Sequence, residues 1–288
     1  MRLGSHELGP DHPVYIIGEI GINHNGDLGL AFELIRTAKR CGLDCVKFQK
    51  RTIEDVYPPD VLARPREGPF GDTYGDEKYG LEFEEHEYNE IDKLCKELGI
   101  DWTASAWDDK SVEFLASYEV PFLKVPSACA FNTGLLDTFN ATELPVILST
   151  GLCELDDIDR AVEHLDRSRL AIAHCVSAYP TPNDELNLRA IASMQERYGL
   201  PIGYSGHETG ILPAAIAVAL GACFVERHIT MDRAMYGSDH AASIEPVGME
   251  KLTRYIRSAE EALGDGRKRR MPCEDIAKFI GMINKGGG

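Results

Sequence analysis

Eight short apolar runs, each followed by a polar or amphipathic stretch, constrain this 288-residue chain more than any other feature. The runs are Val14–Ile20, Asp44–Gln49, Ile100–Ala106, Pro121–Ser127, Pro145–Thr150, Leu170–Val176, Pro201–Ser205 and Cys223–Ile229. They are rich in Val, Ile and Phe and do not alternate cleanly, the pattern of parallel strands covered on both faces. The stretches between them read as helices. One carries the apolar stripe Leu30, Ala31, Leu34, Ile35 and Ala38 before Gly42; another carries Tyr88, Ile91, Leu94 and Leu98 before Gly99. The later helices are expected at Lys110–Ser117, Thr133–Phe139, Glu154–Leu165, Leu186–Tyr198, Gly210–Leu220 and Val247–Leu263. Eightfold alternation without a dinucleotide glycine fingerprint predicts an α/β fold, a single-domain (β/α)₈ TIM barrel over residues 1–264. An open, doubly wound sheet is the alternative.

A barrel of this kind needs about 250 residues, which the chain supplies. Two stretches fall outside the alternation. Lys50–Glu85 is too long for an ordinary strand-to-helix loop and is expected to form a lid or binding loop. Residues 265–288 read as a polar tail, with the basic run Arg267–Arg270 solvated.

Net charge is −17, which disfavours binding to a nucleic-acid backbone. No apolar run approaches the roughly 20 residues of a membrane span, and the first residues lack the apolar core of a signal peptide. A cytoplasmic protein is expected. None of the eight cysteines forms a CxxC pair, and most stand in apolar context.

Almost every strand candidate carries polar residues at its C-terminal end: Glu19; Lys47 and Gln49; Ser105; Lys124 and Ser127; Ser149; His174 and Ser177; Ser205 and His207; Glu226 and His228. In a closed barrel those ends converge on the face that carries the active site. Lys47 and Lys124, set in apolar strands, need an anion to offset burial. With the serines they describe a pocket for a small polyanion bearing carboxylate or phosphate. His207 and His228, at the ends of the seventh and eighth strands and near Asp239 and Glu19, suit a divalent metal such as Mn²⁺, Co²⁺, Zn²⁺ or Fe²⁺. Asn23, His24 and Asn25 either form a local turn or line the mouth. His240, next to Asp239, is a candidate to face the site. Cys175 reads as packing, His174 as an orienting residue, and Glu226 as a partner of His228.

These residues stand in strings that resemble the N-acetylneuraminate (sialic acid) synthase family. They are IGEIGINHNGDLGLA at Ile17–Ala31, VKFQ at Val46–Gln49, LEFEEHEYNEIDKLCKELGI at Leu81–Ile100 and FLKVPSA at Phe122–Ala128. LSTGL at Leu148–Leu152, HCVSAYPTPNDELNL at His174–Leu188, IGYSGHETG at Ile202–Gly210 and ERHITMDRAMYGSDHAASIEP at Glu226–Pro246 continue the series. The resemblance implies a transferase of carbohydrate biosynthesis that condenses phosphoenolpyruvate with an open-chain aldose, N-acetylmannosamine or a related sugar, to give a nonulosonic-type α-keto acid and phosphate. It implies phosphoenolpyruvate on Lys47, Ser105, Lys124, Ser127, Ser149, Ser177 and Ser205. It places the sugar on Gln49, Tyr179 and Asp239, a divalent metal on His207 and His228, and catalysis on Glu19 with those histidines. Mn²⁺ is the metal expected first, with Mg²⁺ or Co²⁺ as others, and the assembly is a homo-oligomer, a dimer by analogy.

Two departures concern the sugar. Cys129 stands where the family commonly has an acidic residue. Typical members continue into an antifreeze-like domain whose arginine holds the sugar's N-acyl group in a neighbouring subunit, and this sequence ends before it, so the resemblance is to the catalytic barrel. A Schiff-base pyruvate aldolase using Lys47 or Lys124, and a non-catalytic sugar-binding barrel, stay open as alternatives.

Overall fold

The computed structural model describes residues 1–276, 280 and 282. The chain begins with a short antiparallel hairpin, β1 (Arg2–Leu3) and β2 (His6–Glu7), then β3 (Tyr15–Gly21), α1 (Leu28–Arg40) and β4 (Cys45–Lys50). Short elements follow: α2 (Ile53–Val56), α3 (Pro59–Leu62), the hairpin β5 (Pro65–Gly68) and β6 (Gly71–Thr73), and α4 (Tyr74–Leu81). The alternation resumes with α5 (Glu85–Leu98), β7 (Asp101–Ala106), α6 (Asp109–Ala116), β8 (Leu123–Val125), α7 (Thr133–Ala141) and β9 (Val146–Ser149). It ends with α8 (Leu155–Glu163), β10 (Leu170–Cys175), α9 (Ala190–Tyr198), β11 (Ile202–Gly206), α10 (Leu212–Ala219), β12 (Phe224–His228) and α11 (Pro246–Leu263).

The eight strands expected from the sequence pair in parallel in the order β10-β11-β12-β3-β4-β7-β8-β9, and β9 pairs with β10 to close the barrel. The open-sheet alternative is excluded. The helices form because their apolar stripes have a wall to cover. In α1 the carboxylate of Asp27 accepts from the backbone N–H of Gly29 and Leu30, and the buried face is Ala31, Leu34, Ile35 and Ala38. In α5 the buried face is Tyr88, Ile91, Leu94 and Cys95, and the helix stops at Gly99 in the left-handed region. Most helix ends fall within two residues of expectation, and one start differs by more. The helix expected from Leu186 starts at Ala190, because Asn183–Leu186 forms a separate turn to which the His174 ring is hydrogen-bonded.

Inside the barrel one residue parity does two jobs. At the base it is apolar: Tyr15, Ile17, Cys45, Phe122, Ile147, Ala171, Ala173 and Phe224 pack together with Leu3 and Leu8. The N-terminal hairpin therefore plugs the barrel bottom, which its short, mostly polar sequence did not announce. Gly203 belongs to this layer, and a Cβ there would lie 2.4 Å from the Phe224 ring. Two residues further along each strand the same parity turns polar.

The expected long loop between β4 and α5 is instead α2, α3, the β5–β6 hairpin and α4. It was unreadable because it buries few side chains, chiefly Ile53, Glu77 and Leu81, and so has no apolar period. Of the expected tail, residues 277–279, 281 and 283–288 lie outside the described residues. Among the described residues no helix is long and apolar enough to cross a membrane.

Candidate active site

Strand register alone puts the polar layer together. Glu19 is the Cα partner of Lys47 on one side and of His228 on the other. Ser105 pairs with Gln49 and with Lys124; Ser205 pairs with Cys175 and with Glu226. A register slip of one residue would turn every one of these side chains outward. They line a cavity of about 210 Å³ at the C-terminal mouth, with Ser127, Ser149, Ser177, Tyr179 and His207. Asp239 approaches from the loop after β12, its Oδ2 3.7 Å from Nδ1 of His228.

The floor carries four buried charges. Nζ of Lys47 lies 2.7 Å from Oε2 of Glu19 and 3.6 Å from Oε1 of Glu226, and donates to the Ser105 hydroxyl at 2.7 Å. Nζ of Lys124 donates to the Ser149 hydroxyl at 2.8 Å and lies 3.8 Å from Oε2 of Glu226. The Ser205 hydroxyl donates to Oε1 of Glu226 at 3.2 Å. Two lysines and two glutamates balance, which is what makes their burial tolerable.

Each group resolves the competition between burial and neighbours differently. Burial pushes Glu226 up, but Lys124 and Lys47 outweigh it and hold the carboxyl down at about 2. Burial raises Glu19 to about 7, and Lys47 offsets only part of that. Burial lowers Lys47, yet Glu19 and Glu226 more than reverse it, so its ammonium stays charged. Lys124 is lowered, because burial exceeds what Glu226 returns. The pair of Lys47 and Glu19 is a close contact rather than a well-directed hydrogen bond, and Oε2 of Glu19 keeps an unfilled acceptor position.

On the wall, the Ser127 hydroxyl accepts from the backbone N–H of Gly151 at 3.0 Å. A Cβ on Gly151 would fall 2.1 Å from Oγ of Ser177, so only glycine leaves room for both serines. Nδ1–H of His207 donates to the Val176 carbonyl at 2.8 Å, which fixes the tautomer and leaves Nε2 free. The His207 and His228 rings are 5.4 Å apart, with the Tyr179 ring 4.1 Å from the first and 5.7 Å from the second. Burial lowers His228 to about 4, so its imidazole is neutral. His207 is raised: burial lowers it, but the hydrogen bond and charge of the neighbouring Cys175 outweigh that.

Behind the histidines, on the outer face of the wall, the fully buried Arg227 and Glu208 form an ion pair at 2.7 Å. The Tyr204 hydroxyl donates to Oε2 of Glu208 at 2.7 Å, and Arg227 donates to the Gly210 carbonyl at 2.7 Å. This pins together the ends of β11 and β12, where the two histidines stand.

All the expected site residues except Asp239 line the cavity, and Asp239 meets it through His228. Asn23, His24 and Asn25 form the local turn rather than the mouth. Asn23 donates to the Ile229 carbonyl and the Ser243 hydroxyl, and His24 stacks on Phe83 with ring centroids 3.9 Å apart. His240 faces inward, bonded to the Thr230 hydroxyl at 2.7 Å. Cys175, read as packing, is a cavity-wall residue whose Sγ lies 3.8 Å from both Nδ1 of His207 and Oγ of Ser127.

Sequence reasoning missed Trp107 on the cavity wall and Arg51 stacked over its ring. Strand parity would have found both. Lys47, Gln49 and Arg51 share one face, as do Ser105 and Trp107.

A family model described as the NeuB family matches residues 34–268. The chain is 42% identical over 272 residues to the N-acetylneuraminate-9-phosphate synthase of Homo sapiens, an alignment covering 93% of this chain and 76% of that one. It is 36% identical over 276 residues to an N,N'-diacetyllegionaminic acid synthase of Legionella pneumophila, covering 92% and 78%. Among solved structures it superposes with a TM-score of 0.85 on an N-acetylneuraminic acid (sialic acid) synthetase from Leptospira borgpetersenii in complex with citrate. That match is 29% identical and covers 100% of this chain and 96% of that one.

Proposed function

Because the chain belongs to the NeuB family, that of the sialic acid synthases, we propose that it condenses phosphoenolpyruvate with the open-chain aldehyde of an aldose, N-acetylmannosamine or a related sugar. The products are a nonulosonic-type α-keto acid and inorganic phosphate. The observation that carries this reading is the floor of buried lysines ringed by hydroxyls: Lys47 with Ser105, Lys124 with Ser149, and Ser127, Ser177 and Ser205 beside them. In a protein of net charge −17, this floor concentrates ammonium and hydroxyl donors, and protonation of Glu19, raised to about 7, leaves it a positive surplus that suits a small polyanion.

In this reading the lysines and serines hold the carboxylate and phosphate of phosphoenolpyruvate, and the serine hydroxyls fix its orientation, that of Ser127 being itself held by the Gly151 N–H. That aims its methylene carbon up the barrel axis, where Gln49, Tyr179 and Asp239 present the sugar aldehyde. A bond forms between the methylene carbon and the aldehyde carbon, the aldehyde oxygen gains a proton, and water adds at the enol-ether carbon. Cleavage of the carbon–oxygen bond to phosphorus then releases phosphate. Glu19, with its carboxyl near 7, is suited to take the proton of that water, since a base works best when it titrates near the operating pH.

The donor set fits a divalent cation. His207 offers a free Nε2, His228 is neutral, and its buried Nδ1 has no hydrogen-bond partner. Among the described residues no group of three or more His, Cys, Asp or Glu is arranged as a full cage, so the two histidines would hold the ion with small-molecule oxygens. When bound, the ion, Mn²⁺ foremost, supplies Lewis-acid polarisation of the carbonyl.

The test is phosphate release from phosphoenolpyruvate with Mn²⁺ and a panel of aldoses. Release that depends on an aldose is expected. Tight binding of phosphoenolpyruvate with no release for any aldose would sink the reading in favour of a non-catalytic barrel.

A further inference from the structure

The register between β11 and β12 runs out just where the two histidines stand. Its last pair is Gly206 with Arg227, so His207 lies one residue past it. His228 is held from the other side, as the Cα partner of Glu19 on β3, and its carbonyl accepts from the Ile244 N–H at 2.8 Å. His207 is held towards β10: its ring donates to the Val176 carbonyl, and its own carbonyl accepts from the Thr181 N–H at 3.1 Å. The two histidines are thus anchored to opposite neighbours, and past the last pair a side chain has to tie them together.

That side chain is Arg227. Its guanidinium donates to the carbonyls of Glu208 and Gly210 and lies 2.7 Å from Oε1 of Glu208. The Tyr204 hydroxyl ties the same carboxylate back to β11. Gly206 leaves the room for this, since a Cβ there would fall 2.5 Å from Oε2 of Glu208 and 2.6 Å from the Tyr204 ring. Along a strand, successive side chains point to opposite faces. Glu208 and Arg227 point outward because His207 and His228 point inward, so holding the outer pair holds the inner one.

Stability alone does not account for the pair. Both side chains are almost wholly buried, yet Oε1 of Glu208 and Nε of Arg227 have no hydrogen-bond partner. A buried ion pair with unfilled positions recovers only part of its desolvation cost, and apolar residues of similar volume often fold as well or better.

We propose that Glu208 and Arg227, with Tyr204, form a positioning element that holds His207 and His228 at one spacing and thereby sets the affinity of the site for a divalent cation. This rests on the reading of those histidines as the cation's ligands. The pair itself touches neither cation nor substrate.

The test titrates Mn²⁺ by its paramagnetic signal, and phosphoenolpyruvate by calorimetry without metal. The proteins are the natural chain, Arg227→Lys and the double variant Glu208→Gln with Arg227→Met, in which no lone buried charge is left to unfold the chain. Mn²⁺ affinity is expected to fall roughly 10- to 100-fold in the double variant, with Arg227→Lys in between and phosphoenolpyruvate affinity unchanged. Unchanged Mn²⁺ affinity would overturn the proposal. So would equal losses of both affinities, which mark a general structural role. Should the double variant not fold, Arg227→Lys decides on the same outcomes. If the natural protein and His207→Ala take up Mn²⁺ equally, the cation reading fails by itself. The imidazole NMR signals of the metal-free proteins then decide the positioning: displaced His207 and His228 signals in the variants support it, and unmoved signals reject it.

Discussion

Lys47 and Glu19 stand on adjacent strands as Cα partners, with Nζ 2.7 Å from Oε2 and both side chains 2% exposed. Neither charge is tolerable there without the other. Removing the lysine alone strands the buried Glu19 carboxyl and leaves Glu226 only Lys124 as its cation. Lys47→Met is expected to lower unfolding free energy by about 3–5 kcal/mol and to raise the KM for phosphoenolpyruvate at least tenfold. Adding Glu19→Gln should restore much of the stability but none of the activity. Urea unfolding and the phosphate-release assay check both halves; an unchanged KM in Lys47→Met would remove the lysine from the anion site.

Glu19 sets a pH dependence with a definite sign. Its carboxyl is raised by burial to about 7, so the base form grows in as pH rises through neutrality. The rate should show an acid limb with a midpoint no higher than about 7, since a bound cation can only lower it. Stability should move the other way. A carboxyl raised in the folded state favours folding when protonated, and that contribution is lost between its ordinary value and about 7. Glu19→Gln should flatten both profiles, and an acid limb surviving in that variant would assign it to another group.

If His207 and His228 hold the proposed cation, with no fuller cage among the described residues, that cation should exchange readily. Dialysis against a chelator should abolish the rate and Mn²⁺ should restore it. His207→Ala should lose the metal-dependent rate, and a fully active variant would discard the metal assignment. Direct titration of Mn²⁺ by its paramagnetic signal should show weaker binding in His207→Ala.

Lys124 is the better nucleophile of the two lysines, because burial lowers it while Lys47 is held charged. It is therefore the place to look for Schiff-base chemistry. Borohydride with pyruvate should leave the mass of the protein unchanged; an adduct on Lys124 would convert the reading to an aldolase.

The N-terminal plug separates stability from chemistry. Leu3 is fully buried against the barrel base, on the far side of the Tyr15–Phe224 layer from the site. Leu3→Ala should cost about 2–5 kcal/mol and leave the KM for phosphoenolpyruvate within a factor of two. A large change in KM would show that the base layer transmits strain to the site.

Much of the fold and of the site is legible in the sequence alone. The eight runs became the eight strands because short buried strands are selected for continuous apolarity, a local property. Polar residues at their ends were legible for the same reason: inside an apolar run, Lys47, Lys124 and Ser205 have no structural excuse. The segment between β4 and α5 was not legible, since its helices bury too little to leave a period. Nor was the hairpin plug, since a few residues give no pattern to read.

The sequence by itself determined the barrel, its polar mouth and the family, all of which follow from residue type at positions along single strands. Only the tertiary structure decided which charges meet. That Glu226 lies between Lys47 and Lys124, that Glu19 is left near 7, and that Arg51 stacks on the Trp107 indole, depend on the register of strands far apart in the chain. Electrostatic energies vary with distance and burial, and neither is written in the order of residues.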